Sequence, residues 1–209
     1  MLLWDAPVRV FHWLLVLSFA GAYLTGERDS LHLLHLTLGI TAGGLVAFRL
    51  VWGLLGTRPA RFATFVRGPA AVVAYLRALA GGRPPHAAGH NPAGGWAIVG
   101  LLGLTLAVAG SGWALDLQWG GHLMEEAHEV LAHALLGLVG LHVAGVVVGS
   151  LAHRENLVRA MVSGRRLGAA GDAIGRPWRG VAVLLVAAVL GFWTWQWLPP
   201  GGDPGLRVG

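Results

Sequence analysis

The stretch from His128 to His142, HEVLAHALLGLVGLH, decides how this chain is read. Its two terminal histidines stand fourteen residues apart. At about 100° per residue they differ by only about 40° around a helix and by about 21 Å along it. One helix face therefore carries two imidazoles at two depths. Imidazole is costly to bury in hydrocarbon, so a histidine inside a membrane faces the bundle interior and has a partner or ligand there. His12 and His35, near the ends of two other apolar segments, supply two partners. Four histidines on three helices at two levels point to two stacked haems, each held by a pair of imidazoles.

Composition sets the surroundings. In 209 residues, 55% are hydrophobic and 12% charged, with a mean hydropathy of +0.63, too apolar for a soluble domain of this length. Apolar windows long enough to cross about 30 Å of hydrocarbon occur at about residues 8–25, 33–55, 95–115, 128–151 and 180–198. Lipid leaves only helices or closed barrels able to satisfy the backbone, and continuous apolar runs mean helices. The first window, in FHWLLVLSFAGAYLTGE, contains His12 and Trp13 and lacks a clear cleavage motif, so a retained span is expected rather than a signal peptide. The fold class read here is an all-α integral membrane protein. A four-helix transmembrane bundle holds two b haems, and a fifth C-terminal helix follows.

There is no cysteine, which excludes thiolate iron–sulfur ligation, covalent haem attachment and disulfides. Any haem is non-covalent. All 15 basic residues are arginine, and their placement answers the thought of nucleic-acid binding that a pI near 11.2 raises. Arg58, Arg61, Arg67, Arg77 and Arg83 lie between the second and third spans, and Arg154, Arg159, Arg165, Arg166, Arg176 and Arg179 between the fourth and fifth. The opposite connections carry Glu27, Arg28 and Asp29, and Asp116, Glu125 and Glu126. By the positive-inside rule the N-terminus and both Arg-rich segments are cytoplasmic and the C-terminus lies outside. The expected setting is a lipid bilayer, with no nucleic acid among the partners.

That orientation sorts the histidines by level. His12 lies toward the cytoplasmic side of the first span, and His35 near the outer end of the second. The fourth span runs inward, with His128 outside and His142 about two-thirds of the way down. Levels match as His12 with His142 and His35 with His128. Two axial imidazoles leave iron no open position, which favours electron transfer over oxygen chemistry. The competing reading is that the histidines are polar helix contacts or interfacial residues. His133 points about 140° away from His128. His32, His86 and His122 fall in expected aqueous loops, and His153, at the cytoplasmic rim, rivals His12 as the partner of His142.

Other residues take places around this frame. Ten tryptophans gather near span ends, as an aromatic belt does. Arg9, Arg49 and Arg58, near the cytoplasmic ends of the first two spans, are candidates for haem propionates, the alternative being headgroup anchoring. Gly39, Gly43 and Gly44, and Gly137, Gly140, Gly145 and Gly149, either allow close helix packing or leave room for a flat macrocycle. Within the loop Gly56 to Pro92, Pro69 opens a short interfacial helix, AAVVAYLRALA, that Gly81 and Gly82 close. The expected organisation is a dihaem domain at 1–166, a flexible basic linker at 167–179, the last span at 180–198 and a disordered tail at 199–209.

The segments WDAPVRVFHWLL, LHLTLGITAGGLVAFRLVWGLLG, FVRGPAAVVAYL, GHNPAGGW and AHEVLAHALLGLVGLHVAGVVVGSLAHRENLVRAM resemble, in this order, the bacterial cytochrome b561 family. That family includes the cytochrome b subunits of nickel–iron hydrogenases and is similar to those of formate dehydrogenases. The resemblance covers residues 4 to about 166. It implies four helices holding two b haems, with ligands at His12, His35, His128 and His142. It also brings Asn91 and Gly94 toward a quinone head group, although GHNPAGG differs from the related pattern by its proline. The alternative for that segment is a helix start, with His90 and Asn91 as capping groups and Pro92 in the first turn.

The function these observations predict is transmembrane electron transfer between a periplasmic redox protein and the quinone pool. The partner is a c-type cytochrome or a hydrogenase-like enzyme, and no residue is assigned as catalytic. One alternative, implied by the resemblance, is an autonomous superoxide:quinone oxidoreductase. It sits poorly with acidic outer connections, because superoxide approaches a cationic surface. A second alternative is a haem-free transporter or scaffold whose histidines handle protons or metal ions.

Overall fold

The computed structural model describes residues 1–82, 89–168, 171 and 173–198. In chain order the helices are α1 (Ala6–Thr25), α2 (His32–Leu55), α3 (Phe62–Phe65), α4 (Pro69–Ala80), α5 (Pro92–Asp116), α6 (Gly121–Ala152), α7 (Leu157–Ser163) and α8 (Arg179–Trp197). Five of them, α1, α2, α5, α6 and α8, are long and apolar enough to cross a membrane, and they stand where the apolar windows placed them. Among the described residues the only β-type pairing is an isolated bridge between Leu2 and Arg165. This is an all-α, multi-pass membrane protein.

Local chemistry starts these helices. Asp5 caps α1, its Oδ1 accepting the Val8 N–H at 2.8 Å, and Asn91 caps α5, its Oδ1 accepting from Gly94 N at 2.7 Å. In each helix a proline occupies the first turn, where no N–H is needed. The interfacial helix α4 begins at Pro69 and ends where Gly81 N–H donates to the Arg77 carbonyl. In contrast to the expected loops, His32 opens α2 and His122 lies in the first turn of α6. Helix α6 begins seven residues before the apolar run, so Glu125 and Glu126 are helical and the connection from α5 is residues 117–120.

Packing follows the chain: α1 on α2, α2 on α5, α5 on α6, with α8 laid against α1 and touching α2. A core of Phe11, Leu45, Val46, Leu102 and Leu185 joins α1, α2, α5 and α8. Helix α6 differs. It packs along α5 and meets α7, and its backbone makes no comparable seam with α1 or α2. Side chains bridge that separation instead.

The Arg-rich end is knotted by hydrogen bonds. Asp5, fully buried, also accepts on Oδ2 from Trp52 Nε1 at 3.0 Å and Thr57 Oγ1 at 2.5 Å. The Gly164 carbonyl accepts the N–H groups of Leu3 and Trp4 at 2.8 and 3.0 Å. Gly164 has φ +76°, and a Cβ there would stand 2.7 Å from the Trp4 carbonyl oxygen, so only glycine fits without strain. Ile174 N donates to Leu2 O, and Ala6 N to Pro177 O. In the segment expected to be a flexible linker, Ile174 and Pro177 are thus tied to the N-terminus, giving the Leu2 carbonyl and the Ala6 N–H their partners. The expected disordered tail, residues 199–209, lies outside the described residues, as do His86 and Arg83.

Candidate functional site: paired histidines at two depths

The structure brings His35 of α2 against His128 of α6. Their ring centroids are 6.2 Å apart with planes at 80°. His35 Nδ1 lies 2.9 Å from the Ala22 carbonyl oxygen, and His128 Nδ1 lies 3.1 Å from the Val108 carbonyl oxygen and 3.0 Å from Ser111 Oγ. Donating the Nδ1 protons to these carbonyls leaves each Nε2 as a free lone pair, the orientation that backbone carbonyls impose on metal-binding histidines. A metal–imidazole bond is about 2 Å and the ring centre sits about 1 Å behind its nitrogen, so two axial imidazoles on one ion stand about 6 Å apart. The observed separation fits.

Glycines clear the approach of both rings. A Cβ at Gly26 would meet His35 Cε1 at 3.4 Å, and one at Gly112 would meet His128 Cε1 at 3.0 Å. Gly39, about 40° around α2 from His35, has open space where a side chain would stand, and so does Gly145, about 60° from His142. The other small residues divide differently. Gly43 closes on Ala109 Cβ at 3.1 Å and Gly149 on Leu157 at 3.2 Å, which is helix packing. Gly44, Gly137 and Gly140 are open, but Gly44 lies about 180° from His35, Gly137 about 140° from His142 and Gly140 about 160° from His142.

At the other level, His12 and His142 lie within electrostatic range of each other. His12 stacks edge-on against Trp13 at 5.1 Å, and its Nδ1 is buried without a hydrogen-bond partner. Close by, Arg49 is 3% exposed in an apolar helix. Its Nη2 donates to the Ala60 carbonyl at 2.9 Å and its guanidinium lies 4.9 Å from the Phe62 ring centroid, while Nη1 is buried with no acceptor. A buried cation with an unmet donor calls for an anion. Both orphaned groups fit a haem with its carboxylates.

The remaining expected residues are placed less centrally. Arg9 donates from Nη1 to the Val162 carbonyl at 2.7 Å, clamping α7 to α1. Arg58 is exposed and shares a cavity with Arg176 and Trp178. Asn91 acts as the helix cap described above, with Gly94 as its donor. His133 is exposed, its Nδ1 2.9 Å from the Glu129 carbonyl oxygen, and His153 is the C-cap of α6.

His90 is the residue that the spacing does not reveal. It packs between Trp4 and Phe65, at centroid distances of 4.6 and 4.8 Å. Burial pushes its imidazole down from 6.5 to about 3, and Arg49, Arg166, His142 and His12 act in the same direction. It therefore stands at the His12–His142 level as a neutral group. The sequence just before it, GGRPPHAAG, carries no helical or strand periodicity, so no pattern marks it as buried.

Among the described residues no group of three or more His, Cys, Asp or Glu is placed to hold a metal ion. The histidines come in pairs, which suits axial ligation of haem iron and not a bare ion's fuller shell. A model of the prokaryotic cytochrome b561 family matches residues 3–164. Neither a curated protein nor a solved structure matches the chain. The chain belongs to the prokaryotic cytochrome b561 family, membrane proteins that transfer electrons on b-type haem.

Proposed function

We propose that this chain is a dihaem cytochrome b that moves electrons across the bacterial inner membrane between a periplasmic redox protein and the quinone pool. The observation that carries the reading is the His35–His128 pair, 6.2 Å apart with both Nδ1 atoms committed to backbone carbonyls. His35 and His128 would hold one haem, and His12 and His142 the other. Haem supplies the one-electron ferric/ferrous couple. Each imidazole pair would supply two nitrogen ligands to the iron, and the apolar helices around the histidines would exclude water. The Arg49 guanidinium, its Nη1 unmet, would balance a propionate and hold that haem in place; Arg9, fixed across α1 and α7, would add positive charge at the same end.

The quinone would be met at the Arg-rich end, which the Arg distribution makes cytoplasmic. Asn91 spends its Oδ1 on the cap and keeps its Nδ2 donor for a quinone carbonyl, beside Gly94 and the aromatic wall of Trp4, Phe65 and His90. Two measurements test the scheme on purified protein. A dithionite-reduced spectrum with haem quantification should give two haems per chain in the parent and one in His142→Ala. Two haems in that variant would overturn the ligand set. Asn91→Asp keeps the cap acceptor and removes the amide donor, so quinone turnover should fall at least about tenfold with both haems retained. Unchanged turnover would leave Asn91 with the cap alone.

A further inference from the structure

The crevice between α2 and α8 carries two adjoining features that the haem reading does not use. At the Arg-rich end a cavity of about 370 Å³ is lined by Thr57, Arg58, Arg176 and Trp178, with Gly171, Ala173, Ile174 and Gly175 behind. Among the described residues neither Arg58 nor Arg176 has a carboxylate within ion-pair distance. The first turn of α8, which opens at this cavity, has no side-chain cap. Two exposed guanidiniums beside helix N–H groups that lack a side-chain cap suit an anion.

Directly above it, along the same two helices, runs an apolar groove of about 520 Å³. Ile40, Gly44 and Phe48 of α2 form one wall and Leu184, Ala188 and Phe192 of α8 the other. From Val181 to Phe192 the groove extends about 16 Å, half the roughly 30 Å hydrocarbon core, which is one leaflet. Its lower end lies one helical turn from Trp178. Trp52 joins the two features, stacked on Phe48 at 6.0 Å and edge-on to Trp178 at 5.7 Å. Hydrogen bonding of Trp193 Nε1 to Thr41 Oγ1 at 2.9 Å closes the groove at its far end.

We infer that this crevice binds one anionic diacyl phospholipid, with its phosphate at Arg58 and Arg176 and an acyl chain in the α2–α8 groove. A cationic head pocket adjoining an apolar slot one leaflet deep matches an amphiphile with a single anionic end. A free anion would use only the first feature, and a second protein copy would find charges at one end only. The arrangement also gives α8 a role, because it supplies one wall of the groove and, through its first turn, part of the head pocket.

The test uses the full chain with its haems, purified in a mild neutral detergent. Lipids extracted from the protein should be enriched in phosphatidylglycerol or cardiolipin over phosphatidylethanolamine, relative to the source membrane. Added phosphatidylglycerol should raise the apparent melting temperature by several degrees; phosphatidylcholine and inorganic phosphate should not. The double variant Arg58→Gln/Arg176→Gln, and separately Ala188→Phe, which fills the groove from α8, should each lower retained anionic lipid at least about fivefold with the haem spectrum unchanged. A shift with inorganic phosphate equal to that with phosphatidylglycerol would reduce the site to a phosphate pocket and overturn the lipid. Equal retention in parent and both variants would overturn it as well, as would a dimer that dissociates in Ala188→Phe without any loss of lipid. The haem spectrum is recorded on the same samples, so failure here is separable from failure of the dihaem reading.

Discussion

His90 shows what a single buried imidazole does to the molecule. In the folded chain it sits against Trp4 and Phe65 and is held neutral, its pKa pushed down to about 3 by burial and by the arginines nearby. The unfolded chain binds a proton there below about 6.5. The folded pKa is the lower one, so this contribution to stability is whole above pH 6.5 and is lost as pH falls toward 3. By pH 5 the loss is on the order of 2 kcal/mol. The apparent melting temperature, followed by haem absorbance, should therefore drop between pH 7 and pH 5, and drop less in His90→Gln. Parallel curves for the two proteins would assign the acid sensitivity to another group.

At the scale of the helix, small residues set how α5 meets α6, Gly100 beside Leu138 and Gly112 beside His128. Gly112 lets the two approach beside His128, since a Cβ there would stand 3.0 Å from His128 Cε1 and 3.4 Å from Nδ1. Gly112→Ala forces the ring to yield by a few tenths of an ångström or the helices to part, a change of about 1–3 kcal/mol in a packed interior. Haem at the His35–His128 level should be lost first on heating in this variant, with the His12–His142 level unaffected. Gly110→Ala, in the same helix with nothing within 4 Å of the new carbon, is the control and should match or exceed the parent in stability. Equal haem retention in the two variants would remove Gly112 from the account of how His128 is positioned.

Over the whole molecule charge is segregated by end. Glu27, Asp29, Asp116, Glu125 and Glu126 are exposed at one end, with Arg28 among them, while the other described arginines gather toward the opposite end. Helix α6, 32 residues and so about 48 Å long, exceeds the hydrocarbon thickness and carries Glu125 and Glu126 clear of the membrane above His128. A basic redox protein would be steered to this end. Stopped-flow reduction with a small basic c-type cytochrome as probe should slow about tenfold between 20 and 200 mM salt. Glu125→Gln/Glu126→Gln should show a lower rate at low salt and a flatter dependence. A rate indifferent to salt and to these carboxylates would favour a permanent complex with an apolar interface.

Five spans, the short α4 and the approach of His35 to His128 were legible in the sequence. Hydrocarbon permits few backbone solutions, and a helix maps residue number directly onto depth and azimuth. The caps at Asp5 and Asn91 were equally local, although only Asn91 was weighed as one. What depended on the tertiary structure was everything set by neighbours distant in the chain. Gly39 and Gly43 read alike, yet one faces open space beside His35 and the other closes on Ala109. Arg49 and Arg58 read alike, yet one is buried with an unmet donor and the other lines the α2–α8 crevice. His90 and the 174–177 backbone find their partners across loops without periodicity, at Trp4 and Phe65 and at Leu2 and Ala6. Periodicity reports which way a side chain leaves its own helix; only packing decides what stands opposite.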